Sequence, residues 1–230
     1  MTDAAAIHKG RRHVDESNLL DEHEFYITRV GFAMAQILTT VSQIELIPLL
    51  LPRYRHSQKL AQKGIHQHVV LRYHAENYFI RIQILRDRIL MLIDAVFHLL
   101  NSSRSINERS VLENLKVERT SVPSTYQKFR KIIKDHLSQR NKIVHEHAYE
   151  DAHLRYVELC FLLERQNHTL GLNKNPRGTA KEFAKEFADE KSFFFSEWNE
   201  DLAKGICELF EALAPIYKKE KSHLAFKVQN

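Results

Sequence analysis

The chain has 230 residues, of which 43% are hydrophobic and 27% charged, with only six Gly and five Pro. Because Gly and Pro are scarce, the composition excludes a turn-rich β architecture and predicts an all-α protein with long helices. The formal net charge of +5 is compatible with a nucleic-acid ligand but does not demand one.

The cellular compartment is constrained by what the sequence lacks. The first eighteen residues, MTDAAAIHKGRRHVDESN, contain no apolar segment typical of a secretory signal. The longest apolar run, 44–51, is interrupted by Glu45 and Pro48 and is too short to span a bilayer. Cys160 and Cys207 lie in separate apolar stripes, which predicts core thiols rather than a disulfide or a metal site. We therefore expect a cytoplasmic protein without a membrane partner.

Apolar residues at three- and four-residue steps predict two long helices in the first half of the chain. One runs from about Glu22 to Leu51, and the stronger one runs from about His66 to Leu100. Between them, the stretch 53–75 contains Arg, Lys and His but no Asp or Glu. This stretch is either a phosphate-facing surface or an ordinary solvated connection. Four arginines project around the second helix: Arg72, Arg81, Arg86 and Arg88.

Polar breaks divide the middle of the chain into shorter helices. Breaks at Asn101–Ser103 and Ser121–Ser124 flank a short helix from about Ile106 to Leu115. Ser124 suits the N-cap of a helix that reaches about Leu137. Another helix is predicted from about Arg140 to Gln166.

The best linker candidate is Gly171–Gly178, and helical segments follow it. Residues 1–21 are predicted to form a flexible N-terminus. The remaining chain is then divided into a helical domain over 22–168 and a C-terminal helical extension over 169–230. We expect the extension to pack on the same core.

One stretch carries residue types suited to RNA chemistry: Arg140-Asn141-Lys142-Ile143-Val144-His145. It resembles the HEPN (higher eukaryotes and prokaryotes nucleotide-binding) family, whose ribonuclease members carry an Arg, four to six further residues and a His. Asn141 fits the small polar residue that often follows the Arg. Arg140 and His147 also satisfy the spacing, so His147 is the substitute for His145. The resemblance covers about Glu22 to Gln166 and implies that the motif lies near the start of a late helix.

The residue types fit a reaction that needs no metal. RNA supplies its own nucleophile, the ribose 2′-OH, and the imidazole of His145 suits general acid–base catalysis because its ordinary pKa lies near neutrality. The guanidinium of Arg140 suits the charge that develops on the phosphate. On an ideal helix Asn141 shares a face with His145, while Arg140 lies about 140° away. Asn141 is therefore expected to orient the imidazole or hold a phosphate oxygen.

The resemblance implies further properties. It implies an endoribonuclease that leaves a 2′,3′-cyclic phosphate and a 5′-hydroxyl, acts as a homodimer with two facing motifs, and uses no cofactor. It also implies a role as a toxin or phage-defence effector restrained by a partner, of which a minimal nucleotidyltransferase antitoxin is one common type. The predicted RNA-binding residues are Arg72, Arg81, Arg86, Arg88 and Lys142.

Several alternatives stay open at the level of sequence. Arg130 and His136 also match the bare spacing, although Lys131 follows the Arg. His145 and His147 would point about 200° apart on a helix, so no metal ligand is expected there. Phe193–Phe195 and Trp198 are predicted to be buried against the helical core or a partner chain rather than to stack on bases. The functional alternatives are a non-catalytic RNA-binding or protein-interaction module of the HEPN fold, and an unrelated helical bundle.

Overall fold

The computed structural model describes residues 20–53, 58–102, 104–146, 148–170 and 179–229. These residues form eight helices and contain no strand, so the predicted all-α class is confirmed. His147, most of the predicted flexible N-terminus and the linker candidate Gly171–Gly178 lie outside the described residues. The helices are α1 (Glu22–Leu50), α2 (Gln58–Gln62), α3 (Gln67–Val96), α4 (Glu108–Leu112), α5 (Leu115–Glu118), α6 (Val122–His145), α7 (Ala152–Leu170) and α8 (Ala180–Gln229).

The predicted helix from Arg140 to Gln166 is wrong in its first part. Helix α6 does not stop near Leu137 but continues to His145, and α7 begins only at Ala152. The continuation follows from the pattern, because buried His136, half-buried Arg140 and half-buried Ile143 keep the helical three- and four-residue steps. Exposed Ser138 is tolerated inside the helix because its side chain faces solvent.

The chain divides into two compact units. The first takes its described residues from the range up to Ser42, from Ile84–Ile133 and from Leu202 onwards. The second comprises Gln43–Gln83 and Lys134–Asp201. Both units include part of α8, a single helix of 50 residues where separate helical segments were predicted.

The first unit is organised around a buried carboxylate at the end of α3. Asp94 is fully buried, forms an ion pair with Arg29 of α1 and accepts a hydrogen bond of 2.7 Å from Asn101 Nδ2. The turn between them holds His98 and Leu100 at positive φ, 49° and 61°, which is strained for side chains of this size. Asp94 therefore links the strained turn, through Asn101, to Arg29 of α1.

The second unit has an aromatic core. Tyr78 of α3 stacks on Phe195 of α8 with ring centroids 4.0 Å apart, and Trp198 lies 4.5 Å from the ring of His136. Phe195 is fully buried in the helical core as predicted, whereas Phe193 and Phe194 are exposed and do not belong to the core; burial of these two against a partner chain remains a prediction. Offset by one turn along the same helix, Ser192 Oγ donates a hydrogen bond of 2.7 Å to the Pro48 carbonyl.

The two cysteines and the most apolar helix differ in burial from one another. Cys160 is buried as predicted, but Cys207 is exposed and is not a core thiol. Within the described part of the chain, α1 is the one helix that is long and apolar enough to cross a membrane, with a mean hydropathy of 1.4 over its most apolar window. Core helices pass the same test, so this feature by itself is weak evidence.

We expect Asp94→Ala to destabilise the protein by about 3 kcal/mol, because it leaves the Arg29 guanidinium without its buried counter-charge and removes a bond to Asn101. Urea unfolding followed by circular dichroism measures the change. The matched control is Glu113→Ala, which breaks the exposed pair with Arg109 and should cost less than about 0.5 kcal/mol. Equal losses in both variants would contradict the central role of Asp94.

Candidate functional site

The candidate motif occupies the last two turns of α6, in the second unit. Arg140 is half-buried, whereas Asn141, Lys142 and His145 are exposed. Arg140 Nη1 donates a hydrogen bond of 3.1 Å to Asn141 Oδ1. Asn141 is thus engaged with the guanidinium, and its expected role in orienting the imidazole remains a prediction.

Arg140 and His145 leave the helix in different directions. Arg140 and His145 are five positions apart, so on a helix with about 100° per residue their side chains start about 140° apart. Arg140 follows the line of the buried His136, while His145 lies on the solvent side. The backbone of α6 therefore does not by itself point both side chains in one direction.

The motif lies at the end of a helix, so its predicted place at a helix start is wrong. The backbone N–H of Glu146 still bonds to the Lys142 carbonyl at 2.9 Å, and the helix ends there. A helix C-terminus presents carbonyl groups and a partial negative charge, whereas the N-terminus presents the N–H groups that hold phosphate. Phosphate binding here would depend on side chains, chiefly those of Arg140 and Lys142.

The segment after the motif is fastened to α3. The backbone N–H of Tyr149 donates a hydrogen bond of 2.9 Å to Glu76 Oε1. The Tyr149 ring is buried, 5.5 Å from the ring of Phe79. These contacts fix the chain four residues beyond His145. Sequence reasoning missed them, because the segment was taken as helix interior.

Asp151 then starts α7. Its carboxylate accepts bonds from the backbone N–H groups of His153 and Leu154, at 2.9 and 3.1 Å, as an N-cap does. It also accepts from Lys191 Nζ at 2.8 Å. Burial by itself would raise the pKa of Asp151, but the Lys191 hydrogen bond and the two backbone donors lower it overall. An Asp immediately before an apolar periodic run is a sequence signal for this cap.

A second carboxylate extends the network across α8. Glu190 Oε2 lies 2.9 Å from His153 Nδ1, and Glu190 Oε1 lies 3.0 Å from Lys191 Nζ. The hydrogen bond with His153 is the main reason why the pKa of Glu190 is lowered. Burial lowers the pKa of Lys191, but its two carboxylate partners outweigh this and raise it. The network keeps Lys191 charged beneath the start of α7.

The predicted RNA-binding arginines are largely engaged within the protein. Arg72 forms an ion pair with Glu158, which also lies 3.9 Å from His68 Nε2. Arg86 lies 3.0 Å from Asp87 Oδ1. Arg81 and Arg88 are half-buried, and Lys142 is exposed. RNA binding by these residues remains a prediction, and for Arg72 and Arg86 it requires the phosphate to share an existing ion pair.

The alternative pair of Arg130 and His136 does not form a site. His136 is 6% exposed among aromatic rings, and desolvation lowers its pKa although Asp135 acts in the opposite direction. Arg130 lies 3.4 Å from Glu108 Oε2. In the described ranges no cluster of three His, Cys, Asp or Glu side chains could hold a metal ion.

Comparison with known proteins identifies the family of the chain. The family model described as HEPN_Cthe2314-like HEPN matches residues 35–158, just over half of the 230 residues. The chain belongs to this HEPN family, which includes ribonucleases. The matched segment contains Arg140, Asn141 and His145. No curated protein and no solved structure matches the chain.

We expect the free energy of unfolding to fall as the pH drops from 7 to 5. The pKa of His136 is lower in the folded chain than in the unfolded chain, so the unfolded chain binds a proton on His136 more readily. The same sign applies to His68 and His98, whose pKa values are also lowered first by desolvation. Urea unfolding at both pH values measures the loss. His136→Phe, which keeps an aromatic ring in the cluster, should flatten the dependence, and an unchanged slope in this variant would exclude His136 as a source.

Proposed function

We propose that this HEPN protein is a metal-independent endoribonuclease in which Arg140 and His145 act on the RNA backbone. The proposal rests on the position of the Arg140–His145 motif inside the segment that matches the HEPN family model. The motif lies at a helix end where His145 is exposed to solvent. Exposure matters because a general acid–base group must reach the substrate.

The reaction is an internal transesterification. The ribose 2′-oxygen attacks the adjacent phosphorus while an imidazole removes its proton, and the bond from phosphorus to the 5′-oxygen breaks. The leaving oxygen takes up a proton, so the products are a 2′,3′-cyclic phosphate and a 5′-hydroxyl. Arg140 binds the non-bridging oxygens, on which negative charge increases.

The direction of the two side chains favours a homodimer. Because Arg140 and His145 start about 140° apart on α6, one copy brings them to the same phosphate only if the long Arg140 side chain wraps round the helix. We propose that the Arg140 of one copy works with the His145 of a second copy. Two such pairs would then form in a symmetric dimer.

The biological role is proposed at a coarser level. Unrestrained cleavage of cellular RNA suits a toxin or a phage-defence effector, and such an enzyme requires a partner that restrains it, such as an antitoxin. A cytoplasmic location is consistent with an RNA substrate.

A second candidate function is a non-catalytic module that binds RNA or protein. It is favoured by the engagement of Arg140 with Asn141 and by the ion pairs of Arg72 and Arg86. The two candidates differ in the RNA they return. A ribonuclease leaves a cyclic phosphate end, whereas a binding module retains intact RNA.

Purified protein should cleave single-stranded RNA in the presence of EDTA, and Arg140→Ala and His145→Ala should each lower the rate at least about 100-fold. Denaturing gels and end-group analysis measure cleavage and the cyclic phosphate. Glu113→Ala, an exposed substitution in the first unit, is the control and should leave the rate unchanged. Wild-type rates in both motif variants would remove the catalytic assignment.

Mixed dimers test whether the pair forms between copies. Differently tagged Arg140→Ala and His145→Ala chains, co-expressed and purified through both tags, should regain about half of the wild-type activity, since one of the two sites is intact. The matched control pairs a wild-type chain with the doubly substituted chain. That dimer should be inactive if the pair forms between copies and half-active if it forms within one copy.

A further inference from the structure

The last turns of α1 present leucine side chains to solvent. Leu46, Leu49 and Leu50 are 49%, 52% and 39% exposed. On a helix with about 100° per residue these three positions fall within roughly 100° of arc, so they form one face. The opposite side of the same turns supplies Ile44, which is buried in the core. The end of α1 is therefore apolar both towards the core and towards solvent.

The core accounts for only part of the apolar character of α1. The most apolar window of the helix has a mean hydropathy of 1.4, yet only 33% of that window is buried inside the protein. A core helix of such a composition is mostly buried, because its apolar side chains pack on other segments. An apolar environment on the exposed side of α1 would account for the remaining apolar residues.

Helix α8 adds an aromatic side chain beside the leucines. The carbonyl of Pro48 lacks its usual intrahelical partner, because residue 52, whose N–H would bond to it, is also a proline. Ser192 Oγ of α8 supplies the donor, at 2.7 Å. Leu49 follows Pro48 and Phe193 follows Ser192, so the two exposed side chains start one residue from either end of this bond.

The aromatic side chain is not covered within its unit. Phe193 is 61% exposed, and its ring contact is with Phe194, at 5.9 Å, which is exposed as well. We call the exposed leucines and this phenylalanine the corner patch, which consists of Leu46, Leu49, Leu50 and Phe193. Exposed apolar side chains that lie together in this way mark a contact surface for another molecule.

Cationic side chains come next along the chain. Arg53 follows Leu49 by four residues, Lys59 lies in α2, and Lys63 lies just beyond the end of α2. All three cations are exposed. No Asp or Glu occurs from residue 53 to residue 75. A surface that combines apolar side chains with cations is complementary to a bilayer that has acyl chains beneath anionic headgroups.

We propose that the corner patch binds the surface of an anionic lipid bilayer. Its four apolar side chains enter the outer part of the acyl layer, and Arg53, Lys59 and Lys63 face the headgroup phosphates. α1 lies on the bilayer and does not cross it, because its opposite side is held in the protein core. The expectation of no membrane partner was based on the lack of a spanning segment, and surface binding requires no such segment.

The residue types favour a bilayer over a protein partner or RNA. Lysine is depleted at the centre of protein interfaces, whereas lysine beside exposed leucine and phenylalanine is typical of surfaces that bind lipid. RNA would bind the cations but would not need the leucines. Glu45 lies about 100° from Leu46 around α1, on the flank of the leucine face, so its carboxylate stays in the headgroup layer.

The first experiment is flotation of the full-length protein with vesicles on a sucrose gradient. Wild-type protein should float with vesicles of two parts phosphatidylcholine to one part phosphatidylglycerol, and should not float with phosphatidylcholine alone. Leu49→Glu and Phe193→Glu should each lower the floating fraction at least about tenfold, because a carboxylate is excluded from the acyl layer. Circular dichroism should show unchanged helicity, since both positions are exposed.

The matched control for these variants is Leu159→Glu on α7. This position is 56% exposed in the same unit but lies outside the corner patch, so the variant should float as the wild type does. A wild type that does not float with the anionic vesicles, or an equal loss in Leu159→Glu, would overturn the proposal. So would a wild type that self-associates through Leu49 instead of floating, because the patch would then bind a second copy.

The second experiment tests the cations. Lys59→Gln combined with Lys63→Gln should weaken binding to the anionic vesicles roughly 20-fold, and added salt should weaken wild-type binding. The control combines Lys181→Gln with Lys185→Gln, two exposed lysines that are also four residues apart in the same unit. This control should change binding less than about threefold. Equal losses in the two pairs would show attraction by net charge alone and would contradict docking through this surface.

Failure of bilayer binding and failure of the ribonuclease are separable. The flotation experiment contains no RNA, and His145→Ala should float as the wild type does because the motif lies outside the corner patch. An inactive protein that floats keeps the proposal, and an active protein that does not float overturns it. If binding of single-stranded RNA depends on Lys59 and Lys63 while flotation does not, these cations belong to an RNA surface and the proposal is wrong.

Discussion

The carboxylate of Asp151 is the interaction on which the candidate site depends. It satisfies the first backbone N–H groups of α7 and binds Lys191 from α8, so it decides where the chain re-enters a helix after the motif. α6 ends at His145, and six residues connect it to the start of α7 at Ala152. The bond from Tyr149 to Glu76 holds that segment from the opposite side. The segment that follows the motif helix is therefore held by Tyr149 and Asp151, which lie outside the motif.

This arrangement explains the chemical character of the motif. At a helix C-terminus the free backbone groups are carbonyl acceptors rather than N–H donors. An anionic ligand would therefore have to be bound by cationic side chains there. Arg140 and Lys142 are the cations nearest to His145 in the chain, and Arg140 emerges on the side opposite to the imidazole. Because the two groups leave α6 in different directions, the proposed function calls on a second copy to supply one of them.

The two long helices of the first half of the chain could be predicted from the sequence. Helices α1 and α3 appear within a few residues of their predicted bounds, because their apolar residues recur over many turns and Pro52 and Asn101 follow their ends. Local features misled where two signals competed. A helix end was predicted near Leu137, but the packing of His136, Arg140 and Ile143 continues the helix to His145. The apolar character of Phe193 and Phe194 predicted burial, yet both lie outside the core of this chain.

The sequence by itself determined the helical class, the two longest helices of the first half and the position of the Arg140–His145 motif, because periodicity and spacing are properties of the chain alone. Only the tertiary structure decided that the motif ends a helix, that Arg72 is paired with Glu158, and that one side of the last turns of α1 remains apolar and exposed. These features depend on contacts between residues far apart in the chain. The end of a helix, the ion-pair partner of a side chain and the exposure of a helix face are each set by which other segment of the chain packs there. Residue spacing along the sequence does not specify that segment.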